Sequence, residues 1–307
     1  MSTDTGLTQL AERRGRTAVD IGIIADSISC IPKEQRDSYD IKIVPATIFF
    51  NGNIYRDLID LSSEEAYELL QRAPEFWKTS APSPEDYLEA YREMGNRFSG
   101  ILVVTISSKL SMFYSSALAA RQIFLEESPE TNIEVIDSHT VAAAEGLIVL
   151  AAARAVAAGK DFPEVVAIAN SIKERVKFIG LLETIRFVYR TGRIPKVASE
   201  VGSMLSIKPI LTGSNGSIRL AGAARNKQNG ITKMLRMMAG EVSNTEPVHI
   251  AVMHADALEQ AKELRDKIAG EYNCVEIFIT DFSPMMGYAT GPGTLALAYY
   301  KEDGLDS

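Results

Sequence analysis

The strongest constraint on the fold is a rhythm in the first half of the chain. Three short runs, Val19–Ala25 (VDIGIIA), Gly100–Ile106 (GILVVTI) and Ile133–Asp137 (IEVID), are rich in β-branched residues and nearly free of polar interruption. Apolar runs of this length fit strands buried on both faces. Helix signals separate them. Ser62 with Glu65 forms a capping box, and Ser83-Pro84 offers an N-cap followed by proline at the first helical position. A helix after Ser107–Ser111 runs to about Glu127, an alanine-rich helix closes at Gly159, and Asp161-Phe162-Pro163 opens another. Strands alternating with helices in this way give a mostly parallel sheet with helices on its faces. Ligands of such sheets bind at the carboxyl ends of the strands. Three of those ends carry small polar groups here: Asp26-Ser27, Ser107–Ser111 and Asp137-Ser138. Serine and aspartate are also the commonest helix N-caps, so each alone has a structural explanation.

The run Ile41–Phe50 (IKIVPATIFF) reads as one extended segment ending in the hairpin turn Asn51-Gly52-Asn53. Beyond Lys177 the pattern changes. KFIGLLE leads into a basic helical segment, two extended runs flank the turn Gly213–Gly216, and later strands interleave with a helix beginning near Asp256. This predicts a two-domain α/β protein. A mostly parallel sheet flanked by helices spans 18–173, and an α/β domain with a mixed sheet spans 174–303. Residues 1–17, polar and without an apolar core, read as a disordered leader and not a signal peptide.

The totals exclude several functions. A formal net charge of −8 argues against non-specific nucleic-acid binding, which needs a broad basic field. Cys30 and Cys274 belong to no metal-ligand spacing and read as reduced thiols of a cytoplasmic protein. The longest apolar stretch, Val141–Ala158, contains Glu145 and Arg154, so it is no membrane span. P-loop, Gly-x-Gly-x-x-Gly, Cys-x-x-Cys, His-Glu-x-x-His and Gly-x-Ser-x-Gly patterns are all missing. The histidines at 139, 249 and 254 are scattered; His254, at a strand end, has a position open to a ligand, although a histidine there is more often a satisfied structural residue. No catalytic constellation or cofactor motif emerges.

What remains is an ordered series of short motifs: ADS (Ala25–Ser27), TSAPSP (Thr79–Pro84), SSKLSMFYSSA (Ser107–Ala117), VIDS (Val135–Ser138), YRTGRI (Tyr189–Ile194), IKPIL (Ile207–Leu211) and GYATGPG (Gly287–Gly293). In content and order, from about residue 19 to residue 300, this series resembles the DegV family, the fatty-acid-binding proteins that serve bacterial fatty acid kinase. TSAPSP is the most specific single match. The resemblance implies a two-domain, DegV-like fold holding one long-chain fatty acid in a tunnel between its domains. The carboxylate would be presented to a separate kinase related to dihydroxyacetone kinases, which forms an acyl-phosphate for phospholipid synthesis. The protein would then be a substrate-binding subunit without its own catalytic site, and transient membrane contact during lipid loading is compatible with that role.

Physical chemistry suits such a ligand. Burying a methylene contributes roughly 0.8 kcal/mol, so a sixteen-carbon chain supplies on the order of 10 kcal/mol before ordering costs. The carboxylate needs partners, which hydroxyls and backbone N–H groups at a helix N-terminus can provide. By resemblance these are Thr79 or Ser80 and Ser111, with Ser27 and the glycine-rich stretch Tyr288, Ala289, Thr290 and Gly291 completing the pocket. Without that context, Ser111 reads as a helix cap and Thr79-Ser80 as a turn. Arg186, Arg190 and Arg193 are spaced to share one helix face. Arg193 and Arg225 match basic family positions and are expected to dock the kinase. Two departures stand out. Ala289 occupies the slot of a carboxylate-binding family histidine, and Met112-Phe113 replace Gly-Thr after the key serine. A site short of one donor binds a carboxylate more weakly by about 1–3 kcal/mol. The alternative is a carrier or sensor for an amphiphile with another head group and no phosphorylation.

Overall fold

The computed structural model describes residues 20–73, 76–194 and 207–302. The expected leader and the outermost residues of both expected domains lie outside them. β1 (Ile21–Asp26) is buried on both faces, as its unbroken apolar run requires. A 3-10 turn at Ser27–Ser29 and helix α1 (Lys33–Ser38) lead to β2 (Ile41–Val44). Pro45 ends β2, and Ala46 N donates to Ser27 Oγ at 3.1 Å instead of continuing a ladder. The run Ile41–Phe50 is therefore two strands in two sheets, not one segment. β3 (Thr47–Phe50) turns at Asn51-Gly52 into β4 (Asn53–Arg56), and α2 (Ser63–Arg72) follows with the Ser62–Glu65 capping box in place. Thr79-Ser80, read from sequence as a turn, closes β5 (Trp77–Ser80), which pairs antiparallel with β3.

Helix α3 (Pro84–Gly95) carries the expected Ser83 cap. β6 (Gly100–Thr105), α4 (Phe113–Glu127), β7 (Asn132–Asp137), α5 (Ala143–Ala157) and α6 (Phe162–Arg175) complete the alternation. The sheet β2-β1-β6-β7 is wholly parallel. β8 (Lys177–Leu181), α7 (Arg186–Thr191), the hairpin β9 (Lys208–Ser214) and β10 (Ser217–Ala224), and α8 (Lys227–Ala239) follow. Next come β11 (Val248–His254), α9 (Leu258–Glu271), β12 (Cys274–Asp281), α10 (Pro284–Thr290) and β13 (Leu295–Lys301). Their sheet, β10-β9-β8-β13-β11-β12, is mixed, with β11 and β12 parallel and the other neighbours antiparallel. Asp256 does not cap α9. Its φ is 50°, and the N-cap is Ala257, whose side chain has nothing to donate or accept.

Helix α5 joins the two large sheets. It is apolar almost all round and packs in one core with Ile23 and Val104 of the parallel sheet and with Ala251 and Ala298 of the mixed one. Close approach depends on Gly146, where a Cβ would stand 2.4 Å from the Ser29 carbonyl oxygen. No helix among the described residues is long and apolar enough to cross a membrane. Both cysteines are free.

Candidate ligand-binding site

The carboxyl ends of β1 and β6 open onto an apolar cavity. Ile28 and Ile106 line it on that side, and the mixed sheet closes it from the other. Alternation along β8 explains the wall. Phe178, Gly180 and Leu182 face the cavity, while Ile179 and Leu181 face the separate core beneath α8. Leu211, Ile218, Val188, Phe282 and Met286 fill in the rest. The cavity encloses about 90 Å³.

Polar groups gather at one end. Thr79 and Ser111 both line the cavity, although β5 and the β6–α4 connection bring them from distant sequence. A second, more polar recess shares Leu110, Ser111 and Arg193 with it and adds Ser80, Lys109, Met112 and Ser116. Ser111 does not cap α4. The N-cap is Met112, without a side-chain hydrogen bond, so the Ser111 hydroxyl is not spent on the helix. Ser80 Oγ donates to the Ala81 carbonyl at 3.0 Å and sits in the outer recess. Met112 is exposed, whereas Phe113 is fully buried among core residues and does not reach the cavity wall. Ser27 is also buried, its hydroxyl accepting from Ala46 N.

Much of the glycine-rich stretch is helical, not loop, because α10 extends through Thr290. Tyr288, Ala289 and Thr290 line the cavity. Gly291, with φ at 84°, lies instead against Phe187, where a Cβ would come within 2.2 Å of the ring. The apolar run after it forms β13, at the heart of the mixed sheet. Tyr288 stacks on Trp77 at 5.9 Å, and the Arg190 guanidinium lies 4.5 Å from the centroid of the Tyr288 ring. Thr290 Oγ1 donates to Met286 O at 2.9 Å.

The three arginines do not share one helix face. Gly192, with φ at 72°, ends α7. Arg193 turns back so that Nε donates to Leu110 O at 3.2 Å and Nη1 to Thr191 O at 2.7 Å. The spacing would place all three on one face only in a helix that continued through Gly192, which stops it instead. Arg225 is exposed just beyond β10 and lines neither cavity nor recess. His254 is buried at the end of β11, with Nδ1 3.2 Å from Asp281 Oδ1, and burial lowers its pKa; it does not line the cavity.

Asp26, Asp57 and Glu145 are fully buried carboxyls. Asp26 accepts from Ile28 N and Ile106 N, both at 2.8 Å. Burial nevertheless holds its pKa above the usual carboxylate range, and burial together with the neighbouring Asp26 raises that of Glu145 further. Asp57 accepts from Met285 N at 3.1 Å, and burial pushes its pKa up to about 6. Among the described residues, no group of His, Cys, Asp and Glu side chains is arranged to hold a metal ion.

Residues 20–302 match the family described as "Uncharacterised protein, DegV family". The chain belongs to the DegV family. A DegV domain-containing protein of Clostridium perfringens is 30% identical over 92% of this chain and 99% of its own length. Among solved structures, a DegV family protein from Thermus thermophilus, described for its fatty acid binding, superposes with a TM-score of 0.84. It is 26% identical and covers 92% of this chain and 100% of its own. DegV of Bacillus subtilis, described as a fatty acid binding protein, gives a TM-score of 0.82 at 26% identity over 93% of this chain and 100% of its own. The α/β architecture with one parallel and one mixed sheet is thus the DegV fold.

Proposed function

We propose that this protein binds a long-chain fatty acid, with the acyl chain in the apolar cavity and the carboxylate at the end bearing Thr79, Ser111 and Arg193. The observation that carries this reading is the cavity itself. Its walls are almost wholly hydrocarbon, and Ser111 and Arg193 line both it and the polar outer recess. The fatty acid binding described for the Thermus thermophilus and Bacillus subtilis proteins supports the ligand class. A buried carboxylate needs hydrogen bonds and benefits from a nearby cation, and two hydroxyls with one guanidinium supply both. The family resemblance extends the proposal. The bound acid is a substrate presented to a separate, dihydroxyacetone-kinase-like fatty acid kinase, and this chain contributes binding and not catalysis. Arg193, at the mouth, and Arg225, on the exposed edge beyond β10, would meet that partner.

Ala289 favours a second reading. It lines the cavity where the family resemblance places a histidine donor, so the head group could differ and phosphorylation be absent. Mass spectrometry of lipid extracted from the purified protein decides the ligand, with a straight-chain fatty acid expected. Addition of a cognate kinase and ATP should then give acyl-phosphate, reduced by Arg193→Glu and Arg225→Glu together. Recovery of a neutral amphiphile alone would refute the first reading.

A further inference from the structure

A polar cleft beside the apolar cavity, near the start of β8, is lined by His139, Thr140, Lys173, Lys177, Ser214 and Asn215. Among the described residues, Phe178 is the only one that lines both spaces. Its ring is 6% exposed and is flanked by two glycines. A Cβ on Gly180 would stand 3.2 Å from Phe178 Cζ, and one on Gly213 would stand 3.9 Å from its Cβ. Neither neighbour offers a side chain that could replace the ring as a wall.

We propose that the Phe178 ring is a partition that sets which acyl chains the cavity accepts, by closing it against the polar cleft. The inference rests on the fatty-acid reading and deepens it. With the ring in place, a chain terminus on this side meets only hydrocarbon, so an acid carrying a polar ω-terminus is rejected. With the ring removed, the same terminus reaches the hydroxyl, amide and lysine groups of the cleft.

The test compares hexadecanoic acid with ω-hydroxyhexadecanoic acid by calorimetric titration of delipidated protein. The native protein should bind the hydroxy acid at least about tenfold more weakly, the cost of burying a hydroxyl without a partner. In Phe178→Ala that ratio should fall by about tenfold while hexadecanoic acid still binds. Phe178→Leu, which keeps more of the apolar volume, serves if the alanine variant does not fold, and should show a smaller fall. An unchanged ratio in a folded variant overturns the partition while leaving fatty-acid binding intact. Native protein that binds neither acid overturns the fatty-acid reading, and the partition with it.

Discussion

Ala289 lines the cavity where the family resemblance implies a histidine donor, and that expectation is testable in one direction. The residue faces the cavity from the last turn of α10, beside Tyr288, whose ring is clamped between Trp77 and Arg190. A methyl group there donates nothing, so under the proposed function the carboxylate would depend on Thr79, Ser111 and Arg193. Ala289→His should restore a donor and tighten binding of hexadecanoic acid by about 1–3 kcal/mol, the range for one hydrogen bond to a charged group. Calorimetric titration reads this directly. Unchanged or weaker affinity in a folded variant would place the carboxylate elsewhere. Thr79, Ser111 and Ala289, singled out by short motifs that record local chemistry, all line the cavity. The motifs also single out Phe113, which the fold buries in the core, and Ser27, whose hydroxyl is committed to Ala46 N. Which face of a helix a residue presents depends on what packs against it, and a motif does not carry that information.

Elements come together at this site through a lock between the two large sheets. The connection after β6 grips the tip of the β9–β10 hairpin: Ser107 Oγ donates to Gly216 O at 2.7 Å, and Lys109 Nζ donates to Asn215 O at 2.7 Å. Asn215 and Gly216 both have positive φ, 49° and 77°, as the two central residues of a tight hairpin turn require. A Cβ on Gly216 would also stand 2.6 Å from Ser107 Oγ. Gly216→Ala should therefore cost stability twice, by backbone strain of order 1–3 kcal/mol and by displacing Ser107. Thermal unfolding of Gly216→Ala with and without Ser107→Ala separates the two. If the double variant recovers none of the loss, the clash plays no part. The Asn-Gly turn was readable from sequence because its backbone demand is local. The strand break at Pro45 was not, because it depends on Ser27, far from it in sequence, whereas α10 starts at Ser283-Pro284, the same local cap signal as Ser83-Pro84.

At the scale of the whole molecule, three carboxyls sit where the sheets converge. Glu145 lies on the helix that joins the two large sheets, Asp26 ends the central strand pair, and Asp57 holds the start of α10 through Met285 N. All three are fully buried, and Arg36, itself disfavoured by burial, is the cation whose charge acts on Asp57. Burial raises each carboxyl above its unfolded value, near 4. Below that value both folded and unfolded chains hold the protons, and stability is complete. As pH rises, the unfolded chain releases its protons first, so stability falls until the folded groups ionise as well. For Asp57 this window closes at about pH 6, and for the Asp26–Glu145 pair it extends higher. The Asp57 shift alone corresponds to on the order of 3 kcal/mol lost across its window. Glu145→Gln replaces the most strongly raised group with a neutral one of the same shape. Glutamine keeps a donor toward Asp26, the carboxyl with which protonated Glu145 shares a side-chain hydrogen bond. The melting temperature of the native protein should decline from pH 4 to pH 8. That of Glu145→Gln should decline less and exceed the native value at pH 8. Parallel curves for the two proteins would show that Glu145 ionises as freely in the folded chain as in the unfolded one, and that some other group sets the slope.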